Sequence, residues 1–186
     1  MASLSPPRAT LDDLYREEDK AELIGGRIVR SMPSGDLPSL VAFEIAVSLR
    51  EHARQTGQGV AYADGMGFAI PELPSGRESF SPDAAYYLGP RPANRMRFVE
   101  GAPTLAVEVR SENDYGPSAE TEMAAKRRDY FAAGTLVVWD VDPVAERIHV
   151  YRAADPDRPT TYARGQVAEA EPAVPGWRPL VDPFFT

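Results

Sequence analysis

Apolar and polar positions follow two rhythms along this chain, and the switches between them predict its elements. Thr10 and Asp13 stand at capping-box spacing, and Leu11, Leu14 and Tyr15 give a short first helix its apolar face. AELIGGRIVRSM then places two extended runs around Gly25-Gly26, a hairpin signal. Leu40, Phe43, Val47 and Leu49 return to helical spacing and predict a helix over about 39–56, ended by Gly57 and Gly59. Three short extended segments come next, GVAYAD, MGFAI and PDAAYYL, and the loop GPRPANRMR. TLAVEVR, residues 104–110, is the most strand-like run of the chain. Such a run is expected to be a central strand, paired with the strand after Asp83 or with TLVVWDVD. The polar loop SENDYGPS leads into a second long helix, residues 118–133, which Gly134 ends. TLVVWDVD and RIHVYR flank the Asp142-Pro143 turn as a hairpin, and a Pro-rich stretch with a weak strand or two closes on PFF.

This order predicts an α+β (α/β-type) domain, a mixed β-sheet flanked by helices, spanning 1–186 with residues 1–9 as a flexible tail. No repeat, low-complexity tract or linker divides the chain. It has no Cys, which removes disulfides, thiolate metal sites and thiol catalysis and fits a reducing compartment. No apolar run approaches the ~20 residues that span a bilayer, and the first ten residues hold no signal-like core. The expectation is a cytoplasmic protein with no membrane partner. A net charge of −8 argues against a nonspecific nucleic-acid coat. It is compatible with carboxylates gathered around a divalent metal.

Several of those carboxylates stand in informative places. Asp83 follows Pro82 at the start of a predicted strand. Glu108 interrupts the apolar run TLAVEVR, where an ionised group is costly unless paired. Alternation sets it opposite Val107 and Val109, so an edge strand with one solvated face also accounts for it. Lys126 shares a helix face with Met123 and Tyr130. A snorkelling lysine would look the same, and phase alone does not separate Lys126 from Arg127 and Arg128. Glu22, opening the first hairpin, reads by itself as a surface carboxylate. His52 and His149 are not spaced as a metal pair and read as structural or surface residues.

In order, the chain carries ELIGGR at 22–27, PD at 82–83, EVRS at 108–111, KRRDYFAAG at 126–134 and WDVDP at 139–143. This succession resembles the Uma2 (DUF820) family of restriction-type endonucleases, with the PD-(D/E)xK nuclease core. The resemblance runs from about residue 10 to the terminal PFF. It implies a restriction-endonuclease-like fold, with Asp83 as the Asp of the PD pair and Glu108 as the acid of the ExK part. Arg110 stands where the usual core has its Lys, and Lys126 matches the position to which this family moves it. Glu22 matches an early Glu counted as a fourth member.

The implied activity is endonucleolytic hydrolysis of DNA with Mg²⁺ or Mn²⁺, the metal held by Asp83 and Glu108. Mg²⁺ takes one or two carboxylates plus waters and phosphate oxygens, and a nearby lysine can stabilise charge on the phosphate. Lys126 is accordingly expected to point at both Asp83 and Glu108. Its replacement by Met is expected to lower activity by roughly a hundredfold or more while leaving stability nearly unchanged. A homodimer is expected because a duplex presents two strands related by approximate two-fold symmetry. Trp177, Phe184 and Phe185 are candidates for its interface or for a cap on the domain's own core. The chain also departs from the family pattern. Gly25 and Arg27 replace acidic residues of the hairpin, and no His precedes the helix after SMPSG. Val138 stands where an aromatic is common, and Asp140 where an apolar residue is usual. The alternatives are therefore a nuclease fold that binds nucleic acid or protein without cutting, and a structural dimer subunit.

Overall fold

The computed structural model describes residues 7–185. Thr10 caps α1 (Leu11–Leu14) with the reciprocal capping box its spacing predicts. The hairpin follows as β1 (Ala21–Ile24) and β2 (Arg27–Arg30), turning on Gly25 and Gly26 at φ 60° and 68°. Next come α2 (Asp36–Thr56), β3 (Val60–Ala63), β4 (Phe68–Ala69), β5 (Ser79–Phe80), β6 (Ala84–Tyr87), β7 (Val99–Glu100) and β8 (Leu105–Val109). The chain continues through α3 (Pro117–Ala133), β9 (Val137–Asp142), β10 (Arg147–Arg152), β11 (Asp155–Ala163) and a 3₁₀ turn at Asp182–Phe185. Among the described residues no helix is long and apolar enough to cross a membrane.

The main sheet has six strands in the order β11-β10-β9-β8-β6-β3. Its β8–β9 pair is parallel and the others antiparallel. The strand carrying Glu108 is thus central and pairs with both expected neighbours. Strand alternation then decides its two faces. Leu105, Val107 and Val109 turn toward α2 and pack with Val41, Ile45, Leu49, Trp139 and Val141. Ala106 turns the other way, into a second core with Tyr130 of α3, Val138 and Phe80. Glu108 shares that parity, so its face lies under α3 and is not the solvated face of an edge strand.

Several details correct the sequence reading or decide between its alternatives. The α2 helix begins at Asp36, three residues early, because Pro38 is tolerated in a first turn. Its buried face is Val41, Ala42, Ile45, Ala46 and Leu49, whereas Leu40, Phe43 and Val47 are exposed. Helical spacing admits both sets, and alanines suffice for the close approach to the sheet. β11 is a full nine-residue edge strand, hidden in the sequence by its polar residues and by Pro156 and Pro159. Trp177, Phe184 and Phe185 are buried, with Trp177 stacked on Trp139 at 4.8 Å, so they close the domain's own core and offer no interface. The predicted N-terminal tail lies mostly outside the described residues. Arg8 and Ala9 within it are docked, through Arg8–Glu72 at 2.7 Å and the Ala9 N–H to the Gly26 carbonyl at 2.8 Å.

Candidate active site

The α3 helix is a poor amphipath, with Tyr130 its single buried residue. Polar contacts hold it to the sheet, and the candidate site is made of them. Tyr130 stacks on Phe80 at 4.0 Å, and its hydroxyl donates to Glu108 Oε1 at 2.5 Å. One turn earlier, Lys126 Nζ donates to Glu108 Oε2 at 2.9 Å and pairs with Glu22 Oε1 at 3.2 Å. Glu22 also accepts from Arg77 Nη1 at 2.5 Å and from the Ser81 N–H at 2.9 Å. Arg77 in turn reaches Asp129 of α3 at 2.9 Å. The hairpin, the central strand and α3 therefore meet through Glu22, Glu108 and Lys126.

Asp83 joins this cluster through the sheet. Its Oδ2 accepts the Val109 N–H at 2.8 Å, and its Oδ1 accepts Lys20 Nζ at 2.8 Å. Lys20 also bridges to Asp64 at 2.6 Å. The expectation for Lys126 is thus half met: it serves Glu108 and Glu22, while a different lysine serves Asp83. Asp83, Glu108, Lys20 and Lys126 line one cavity of about 620 Å³.

These surroundings set the charges. Burial pushes the Glu108 carboxyl up; Lys126 opposes that, Asp83 and Glu22 add to it, Tyr130's hydrogen bond pulls against it, and the net displacement is upward. Burial also opposes ionisation of Glu22, yet Lys126 and Arg77 hold it below the usual carboxylate range. For Lys126 the neighbouring carboxylates outweigh burial and hold the ammonium well above its ordinary value. A lysine so placed donates charge and hydrogen bonds, and is a poor base. Lys20 is held up in the same way by Asp83 and Asp64.

Two departures noted in the sequence are one feature in space. Arg110 makes a two-pronged contact to Asp140, at 2.8 and 2.9 Å, and pairs with Glu120 of α3. Asp140 is 1% exposed and also receives Arg127 at 3.0 Å. Register explains the meeting, because Glu108 and Asp140 are paired on β8 and β9, which leaves the next inward residue, Arg110, beside Asp140. An arginine just beyond β8 and an acid on β9 compensate each other. Arg127 is committed to this pair and to Tyr151, 4.1 Å from its ring centre, and Arg128 is exposed. Lys20, Asp64, Arg77 and Asp129 escaped the sequence reading. Each lies in a loop, in a helix or beside a strand end, with no spacing to mark it. His52 bonds the Pro175 carbonyl and His149 the Thr161 hydroxyl.

With this arrangement in view, comparison with known proteins is decisive on one point. A family model described as "Uma2: Putative restriction endonuclease" matches residues 8–182. The chain belongs to the Uma2 family. A solved relative in fold is the crystal structure titled as a putative nuclease belonging to DUF820 from Anabaena variabilis ATCC 29413. It superposes with a TM-score of 0.72 over 95% of this chain and 97% of that one, at 18% identity. No curated protein matches the chain. The Uma2 assignment supports nuclease function for this protein, and the likeness in fold confirms the expected nuclease-type architecture.

A nuclease of this kind implies a divalent metal, and the residues can be tested for it. Among the described residues no group of three or more His, Cys, Asp or Glu side chains converges as a ready metal cage. Mg²⁺ does not require one, since it keeps several waters beside one or two carboxylates. Glu22, Asp64, Asp83, Glu108 and Asp129 outnumber Lys20, Arg77 and Lys126 by two charges. Both Asp83 and Glu108 open onto the same cavity. Hard oxygen donors and a two-charge deficit fit a hard divalent cation, which Lys20 opposes by holding one oxygen of Asp83.

Proposed function

We propose that this protein is a Mg²⁺-dependent (or Mn²⁺-dependent) endonuclease that hydrolyses DNA phosphodiester bonds and works as a homodimer. The observation that carries the reading is the convergence of Asp83, Glu108 and Lys126 at one cavity, from the residue that leads into β6, from the adjacent strand β8 and from the helix over them. Asp83 and Glu108 would hold the metal, which supplies polarisation of the scissile phosphate and an activated water. The chain's own groups do the rest. Lys126, kept charged by Glu108 and Glu22, stabilises negative charge developing on the phosphate. Tyr130 and the Val109 N–H fix Glu108 and Asp83 in orientation. Arg77 anchors Glu22 and so positions the hairpin against α3. Lys20, which holds Asp83 Oδ1 and lines the same cavity, would compete with the metal for that oxygen and could instead pair with a phosphate oxygen.

A second reading, a nuclease fold that binds nucleic acid or a protein without cutting, draws support from the lysine already paired to each carboxylate. Incubation of plasmid and oligonucleotide DNA with Mg²⁺ or Mn²⁺ separates the two. Cleavage that disappears in Glu108→Ala and with a chelator supports the nuclease. DNA binding without cleavage in either metal supports the second reading.

A further inference from the structure

The α2 helix covers the sheet with one face and leaves another without a partner. Leu40 is 47%, Phe43 57% and Val47 38% exposed, and Leu37 extends the same stripe by a turn. Residues at these spacings share one helix face. Beyond Val47 the stripe meets Leu180, which also stands open, across a groove of about 650 Å³ that both residues line. Contiguous exposed apolar surface of this kind marks an interaction site. The ends of the same face are charged. Asp36 stands at its N-terminal end, and Arg50 and Arg54 at its C-terminal end. None of the three makes an ion pair within the chain among the described residues.

We infer that this face joins a second copy of the chain by antiparallel pairing of α2 with α2 about a two-fold axis. The sequence of the face is complementary to its own reverse. An axis at the level of Ile45 sets Phe43 against Val47 of the second copy and Leu40 against the stem of its Arg50. Asp36 then meets Arg54 of the second copy. Two acid–base contacts form at the ends, two apolar contacts at the centre, and no like charges oppose each other. A heterologous partner would need no such self-complementarity, and a duplex would not be met by leucine, valine and phenylalanine. The 21 residues of α2 span about 31 Å. Phe43 also lines a 210 Å³ cavity reaching Asp64 and Asp83, so the interface runs along the rim of the candidate site. This names the surface of the homodimer proposed above, and does not depend on whether the protein cleaves DNA.

Sedimentation velocity over a concentration series tests it without reference to activity. The wild type is expected to dimerise. Phe43→Glu places two carboxylates at the centre of the interface and raises the dissociation constant roughly a hundredfold. Asp36→Arg turns two attractions into two repulsions and weakens the dimer about tenfold, as does Arg54→Asp. Together these two reversals rebuild the contact and return the constant to within about threefold of wild type. Circular dichroism melts check that each variant is folded. A wild-type monomer at roughly 100 μM, where even a weak micromolar dimer is populated, overturns the inference. So does a dimer indifferent to Phe43→Glu, or a double reversal no tighter than either single change.

Discussion

Replacing Lys126 by Met removes one ammonium from between Glu22 and Glu108, and the consequence for stability depends on pH in a calculable direction. The side chains of Lys126 and Glu108 are each 24% exposed, so the pair is largely but not wholly desolvated. Removing one partner of a fully buried pair costs about 3–5 kcal/mol. Residual exposure and the surviving Tyr130 and Arg77 contacts reduce this to about 2–3 kcal/mol near pH 8. Met itself keeps the stem's packing and the helix. The sequence reading expected almost no effect on stability because Met preserves the helix and the stem's packing; the cost of leaving Glu22 and Glu108 without their cation outweighs that.

The sign follows from Glu108. Its pKa is already raised in the folded protein, and loss of Lys126 raises it further. A carboxyl raised by folding favours the folded state below its unfolded pKa, about 4.3, and that contribution is lost as pH climbs through the folded value. The variant's deficit relative to wild type therefore grows from acid toward neutral and alkaline pH. For a chain of 186 residues about 1 kcal/mol corresponds to about 2–4 °C. The expected loss in Tm is roughly 5–10 °C at pH 8 and less than about 3 °C at pH 4.5, where protonated Glu108 needs no cation. Calorimetry at matched pH values measures this. A deficit constant across the range, or a Lys126→Met protein as stable as wild type at pH 8, would refute the reasoning. Metal-dependent cleavage should fall by a factor of about a hundred or more in the same variant.

Three other outcomes are expected. Lys20→Met releases the Asp83 oxygen and tightens Mn²⁺ binding by roughly tenfold or more, since a competing cation is gone; paramagnetic resonance of bound Mn²⁺ reads it, and unchanged or weaker binding contradicts the assigned competition. Arg110→Met and Asp140→Leu each destabilise by about 2–4 kcal/mol, but the double variant costs less than their sum by 1 kcal/mol or more, as a denaturation cycle would reveal; strict additivity would mean that the two departures do not compensate. Tyr130→Phe removes a donor to a charged carboxylate and costs about 1.5–3 kcal/mol. It also raises the Glu108 pKa, so any cleavage that needs ionised Glu108 should lose its acidic limb at higher pH than wild type, and an unmoved limb would separate Tyr130 from the site.

The elements and the family were legible because they rest on local rules. The capping box at Thr10, the Gly25-Gly26 turn, the run 104–110 and the stops at Gly57 and Gly134 each depend on residues close in sequence. The ordered motifs placed Asp83, Glu108, Lys126 and Glu22 as candidates before any contact was visible. What the sequence could not decide is who partners whom across the sheet. Two apolar stripes on α2 satisfy the same periodicity, and only the fit of small residues to the sheet buries Val41, Ala42 and Ile45 while leaving Phe43 outside. Register between β8 and β9 brings Arg110 to Asp140, which turns two apparent departures into one buried pair. Lys20, from the approach to β1, arrives at Asp83 only because β6 and the first hairpin are folded to one end of the site. Coulomb and hydrogen-bond energies depend on distance in space, and loop closure sets those distances, so the charge state and occupancy of the site are properties of the tertiary structure alone.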